Sequence, residues 1–167
     1  MTGNRIRPVA ESMGYIEQAY KTVEDRTGVK LGEAYRNNLL RAGTYLSDSQ
    51  PPGQAMTLFK QHLPHRAVEF AGTLQTALYY DGINLNQPEN YGPLVEPYGL
   101  NPADFVAHLN DETIVQATLA EFEQVAEWGI GGFPSVIFDT GTQLMLVARG
   151  YLPLDALETN IARALTT

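Results

Sequence analysis

The period of the sequence changes once, and late. Up to Trp128 apolar residues recur three and four apart, as one face of a helix requires; after Gly129-Ile130-Gly131-Gly132 they run in short extended blocks. Pro134–Asp139 and Gln143–Ala148 read as two strands joined by Thr140-Gly141-Thr142, a hairpin. A two-stranded hairpin alone is marginal in water. The other strand candidate, Arg5–Val9, is weakened by Pro8, which cannot donate to a ladder. The sheet therefore wants a strand that the sequence does not visibly contain, and helices must supply most of the core.

Those helices can be placed. Ile16, Ala19, Tyr20 and Val23 share a face opposite Glu17, Gln18, Lys21, Glu24 and Asp25, and Gly28 stops the helix in the left-handed conformation. Residues 43–53 read as a loop, with Ser49 a candidate N-cap and Pro51 and Pro52 tolerated at a helix start. The helix that follows sends Met56, Phe59 and Leu63 to the core and ends by Pro64. From about Arg66, Val68, Ala71, Leu74, Ala77 and Leu78 form one stripe, broken at Gly82. Between Asn84 and Tyr98, Gln87-Pro88 and Gly92-Pro93 allow only short or kinked helix. Asn101-Pro102-Ala103-Asp104 opens a short helix through Phe105, Val106 and Leu109. Asp111 is expected to cap the longest helix, with Val115, Leu119, Phe122 and Ala126 on its inner face. A last helix, after Pro153, carries Leu154, Leu157, Ile161 and Leu165.

Composition narrows the function. Of 167 residues, 11 are basic and 19 acidic, a net charge of −8 with no basic cluster, which argues against nucleic acid and anionic membrane surfaces. The longest apolar run, Leu144–Ala148, is far short of the roughly 20 residues that cross a bilayer. The N-terminus has no apolar core of a secretion signal, so a cytoplasmic location is expected. Cysteine is absent, which removes disulfides, thiolate metal sites and thiol nucleophiles from this chain.

Other chemistry finds little support. His62, His65 and His108 come from different segments with no carboxylate at ligand spacing, and read as solvated surface histidines. Ser12, Ser47, Ser49 and Ser135 lack a nucleophile-elbow context. Gly129-x-Gly131-Gly132 lies between helix and strand, the reverse of a phosphate-binding turn. Tyr79, Tyr80, Tyr91, Tyr98 and Phe105 either line a groove or fill a core, with core packing the default. Glu121, Glu123 and Glu127 read as a solvent face. No catalytic residue, metal ligand or cofactor is expected.

A helix, then Gly-Ile-Gly-Gly-Phe-Pro, a hairpin and a terminal helix is similar to the ending of thioredoxin-fold proteins. Gly129–Gly150, with Arg149-Gly150-Tyr151 after the second strand, resembles the DsbA family of thiol-disulfide oxidoreductases. Tyr45-Leu46-Ser47-Asp48-Ser49-Gln50-Pro51 looks like the entry to that family's helical insertion. Leu74–Asn84 looks like its core helix and following turn, and Tyr98-Gly99-Leu100-Asn101 matches its Gly-Leu-Asp/Asn turn. The resemblance covers nearly the whole chain. It implies an α/β, mostly helical, thioredoxin-like fold: one domain over 1–167, with a DsbA-type helical insertion and long helix over about 45–128 and a ββα unit over 129–167.

It also implies a cis proline at Pro134, with Phe133 before it presenting backbone groups to an extended substrate; these two are the expected substrate-binding residues. The family's Cys-x-x-Cys, set at the start of its first helix, and the strand before it have no counterpart here, so the sequence reads as a fragment or as a lineage without its own redox centre. The leading expectation is a redox-inactive relative that binds a peptide or thiol compound near Phe133 and Pro134. The alternative is an interaction module whose open sheet edge takes a second copy or an N-terminal partner fragment. A kappa-type glutathione-linked isomerase or transferase ranks third, because its N-terminal serine motif is missing.

Overall fold

The computed structural model describes residues 2–166; Met1 and Thr167, the ends of the expected domain, lie outside the described residues. These residues fall into two compact units divided between Leu119 and Ala120.

In the first unit, α1 (Met13–Thr27) ends at Gly28, whose φ of +72° closes it with an amide bond to the Glu24 carbonyl. α2 (Gln50–His62) carries its prolines in the first turn. Its N-terminal bond is not made by Ser49: Asp48 Oδ1 accepts from the Gln50 N–H at 2.9 Å. α3 spans Ala67–Tyr79, and its inward face is Phe70, Leu74 and Ala77. Val68 is exposed, because the helical turn that points Phe70 into the core points Val68 away from it. Prolines divide the next stretch into turns at Pro88–Tyr91 and Glu96–Tyr98 around α4 (Gly92–Val95). α5 (Pro102–His108) is capped by Asn101, whose Oδ1 accepts from the amides of Ala103 and Asp104 at 2.9 and 3.1 Å.

α6 (Glu112–Glu127) begins at the Asp111 carbonyl, which accepts from Ile114 and Val115, while the Asp111 carboxylate meets His108 Nδ1 at 2.8 Å. The buried residues of α6 are Ile114 and Thr118. Val115, Leu119 and Phe122 are half-buried and Ala126 is exposed, so the inner face is rotated by one position from the sequence expectation.

The main core of this unit is aromatic. Phe59 and Phe70 stack with centroids 4.1 Å apart, and Tyr98 sits edge-on to both, under the Arg66 guanidinium. Burying each such ring contributes about 1.5–3 kcal/mol. Polar ties lock the helices in register: Gln54 Nε2 donates to the Leu109 carbonyl at 2.8 Å. Thr118 Oγ1 lies 2.8 Å from the Ile114 carbonyl and 2.9 Å from Thr57 Oγ1. A hydroxyl has one proton and a carbonyl only accepts, so Thr118 donates to Ile114 and Thr57 donates to Thr118.

A second, smaller core holds Val9, Tyr35, Leu39, Leu40 and Tyr45. Tyr35–Leu40 form a π-helical segment that the sequence did not announce. Arg5–Val9 is not a strand. It makes one antiparallel bridge, Pro8 to Leu46, flanked by the Val9 amide on the Tyr45 carbonyl at 2.7 Å and the Ser47 amide on the Arg7 carbonyl at 2.8 Å. The missing N–H of Pro8 prevents the ladder from growing.

In the second unit, β1 (Ser135–Asp139) and β2 (Leu144–Arg149) pair antiparallel as a two-stranded sheet. The register steps from Val136↔Ala148 to Ile137↔Leu146, leaving Val147 as the extra residue of a bulge. Alternation therefore fails there, and Val147 and Ala148 are both buried. α7 (Leu154–Ala164) follows; Leu154 and Leu165, expected on its inner face, are exposed at its two ends.

Candidate binding sites

Phe133 and Pro134 lie just before β1, and the bond between them is cis. Both side chains are exposed, Phe133 by 80%. The surrounding backbone is tied down on either side. The Pro134 carbonyl accepts from the Gly150 amide at 2.8 Å, and Ser135 Oγ donates to the Gly132 carbonyl at 2.8 Å. Gly150 reaches this position with φ +81°, a conformation that favours glycine. Between these ties the N–H and C=O of Phe133 bond to no other described residue. An exposed aromatic ring thus stands beside one free donor and one free acceptor. That arrangement can pair with an extended segment in the manner of a strand edge.

A second site was not anticipated. Of the apolar stripe of α1, Ile16 packs against the smaller core, and with Ala19, Tyr20 and Val23 it lines an apolar cavity of about 1010 Å³ inside the first unit. The rest of the lining includes residues of α3 and of the smaller core, with Tyr35, Tyr45 and Tyr79 among them. Tyr35 and Tyr79 meet edge-to-face at 5.4 Å. Burial, with the neighbouring Tyr79 hydroxyl second, pushes the Tyr35 phenol up to about 12. Burial raises Tyr45 and Tyr91 further. Tyr91 satisfies its hydroxyl by donating to the Leu85 carbonyl at 2.6 Å. The α1 stripe was legible in the sequence, but nothing in the sequence said that it would face a hollow.

The remaining expected residues are dispersed. Tyr91 and Phe105 are core, Tyr98 is half-buried in it, and Tyr79 and Tyr80 lie at the cavity. His62 and His65 are exposed, and among the described residues no three His, Asp or Glu side chains gather as a metal site. Glu121, Glu123 and Glu127 are exposed on α6.

No protein-family model and no curated protein matches the sequence. Solved structures do. A "putative protein disulfide isomerase" from Nitrosomonas europaea superposes with a TM-score of 0.85 at 26% identity, over 93% of this chain and 74% of that one. The chain has a DsbA-like fold. The cytosolic disulfide reductase DsbM from Pseudomonas aeruginosa agrees, with a TM-score of 0.77 at 21% identity over 95% of this chain and 79% of that one. Its structure with GSH gives 0.75 at 21%, over 96% and 80%. Within this DsbA-like fold, the 167 residues hold no sulfur nucleophile, so they cannot by themselves form the mixed disulfide on which thiol exchange depends. Among the described residues no helix is long and apolar enough to cross a membrane.

Proposed function

We propose that this chain binds an extended peptide or a thiol compound beside Phe133 and Pro134 and performs no disulfide exchange of its own. The observation that carries the reading is the unpaired N–H and C=O of Phe133, held between the Gly150–Pro134 and Ser135–Gly132 bonds. Likeness to disulfide isomerase- and reductase-type proteins supports it, as does the GSH named with one of them. A cytoplasmic location belongs to the same reading, in keeping with the cytosolic neighbour.

The test is a titration of the isotope-labelled chain with GSH and, separately, with a blocked Val-Thr pentapeptide, followed by amide NMR. Saturable shifts are expected at Gly132, Phe133, Ser135 and Gly150. Phe133→Ser should weaken binding by about five- to tenfold through the lost ring contact. Absence of shifts at Phe133 with both probes refutes the reading. An insulin-reduction assay should show no turnover.

One observation favours a second reading, an interaction module. Both outer edges of the two-stranded sheet are free of further strands among the described residues, and Val136, Leu144 and Leu146 on it are exposed. A second copy or a strand-bearing partner fragment would extend that sheet. Light scattering after size-exclusion separates the cases: a dimer favours this reading, and a monomer whose edge amides exchange freely counts against self-association.

A further inference from the structure

The cavity of the first unit is lined by two tyrosines whose hydroxyls are not used by the protein. Tyr35 is 2% exposed and Tyr45 7%, yet neither hydroxyl has a hydrogen-bond partner among the described residues. Both residues line the cavity, and neither hydroxyl is fully enclosed. Neither hydroxyl is committed to the protein, so each is free to donate to a group that enters the cavity. The amphipathic helix α1 lines the same cavity with its apolar face, and Val23, Val29, Tyr79 and Tyr80 along it remain 42–61% exposed.

We propose that this cavity is a binding site for a neutral, largely apolar small molecule carrying an oxygen that accepts hydrogen bonds, such as a carbonyl. The volume lies at the upper end of small-molecule sites, which combine apolar walls with a few placed polar groups. An acceptor follows from the two idle O–H donors. Neutrality follows from the charges present: Asp48 would repel an anion, while Lys30 is already 3.4 Å from Glu24. A net charge inside the apolar walls would lose its hydration without finding a free counter-charge. A polypeptide fits less well, since each buried residue brings an N–H and a C=O and the lining offers few partners. The site uses none of the residues around Phe133, so the two proposals stand separately.

The experiment is a fluorescence titration of the full 167-residue chain with Nile red, a neutral aromatic dye with a carbonyl oxygen. Wild type should show saturable one-site binding with blue-shifted emission. Gly72 lines the cavity from α3, and a Cβ added there meets nothing within 4 Å, so Gly72→Trp fills the space on a helix that tolerates it. That variant should lose the dye while keeping the wild-type helical circular dichroism. Tyr35→Phe and Tyr45→Phe keep the rings and remove the donors, and each should weaken binding about fivefold, the fold-change of one ordinary hydrogen bond. Absence of saturable binding overturns the proposal, as does binding undiminished in Gly72→Trp. If Gly72→Trp fails to fold, unchanged affinity in the Tyr35→Phe/Tyr45→Phe double variant overturns it instead.

Discussion

Asn160 Nδ2, on α7, donates a 2.8 Å hydrogen bond to the carbonyl of Val147, the extra residue of the β2 bulge. A bulged residue falls out of the ladder, so its carbonyl must find a partner elsewhere. Here a side chain thirteen positions later supplies it, fixing α7 against the only sheet among the described residues. Asn160→Ala leaves the half-buried carbonyl unpaired and should destabilise the second unit by about 1–2 kcal/mol. Hydrogen exchange at β1 and β2 amides should accelerate accordingly, and unchanged exchange there would refute the assigned role.

Thr118 and Thr57 form the corresponding tie in the first unit. Thr118→Val keeps the shape and removes the acceptor, leaving the Thr57 hydroxyl buried without its partner. A loss of about 1–3 kcal/mol in urea unfolding is expected. Thr57→Val should cost less, because Thr118 retains its bond to Ile114.

Gly32 and Gly82 mark where the backbone comes closest to itself. A Cβ on Gly32 would fall onto the Tyr80 carbonyl oxygen. One on Gly82, at φ +67°, would lie 2.6 Å from the Ala34 carbonyl carbon. Neither neighbour is a flexible side chain, so Gly32→Ala and Gly82→Ala should each cost more than about 3 kcal/mol, near the extreme for single substitutions. Gly72→Ala, in open helix, should instead stabilise by about 0.5–1 kcal/mol. Parallel melting curves of the three variants check the order.

The tyrosines give the chain an alkaline limit. Tyr35 ionises at about 12 when folded against its ordinary 10, chiefly because it is buried. Above pH 10 the unfolded chain releases this proton while the folded chain keeps it, so stability falls with rising pH. The contribution is whole below pH 10 and is lost as pH rises through about 12, amounting to up to about 2–3 kcal/mol. Tyr45 and Tyr91, raised by the same cause, add to it. A near-ultraviolet titration of the nine tyrosines should show several ionising only with unfolding, and a single transition near 10 would contradict the burial described.

Much of this molecule was written locally. The hairpin, the helix stops at Gly28 and Pro64, the Asn101 cap and the broken stretch over 88–98 each depend on residues within a few positions of one another, so the sequence shows them directly. The likeness to the DsbA family was legible in the same way, through Gly129–Gly150 and the turns before it, and with it came Phe133 and Pro134 as the residues to inspect.

Contacts between distant segments were decided only by packing. Whether Val68 or Phe70 faced inward depended on Phe59 waiting to stack, and whether the α1 stripe was core depended on what lay opposite. The bulge at Val147 is invisible in a run of apolar residues, because alternation breaks only once a partner strand sets the register. Likewise, no local signal announces that Tyr35 and Tyr45, ten residues apart, place two unpaired hydroxyls at one cavity. Sequence determines which conformations each segment prefers, since those energies are local; tertiary structure determines which polar groups end up buried together, since desolvation depends on everything that surrounds them.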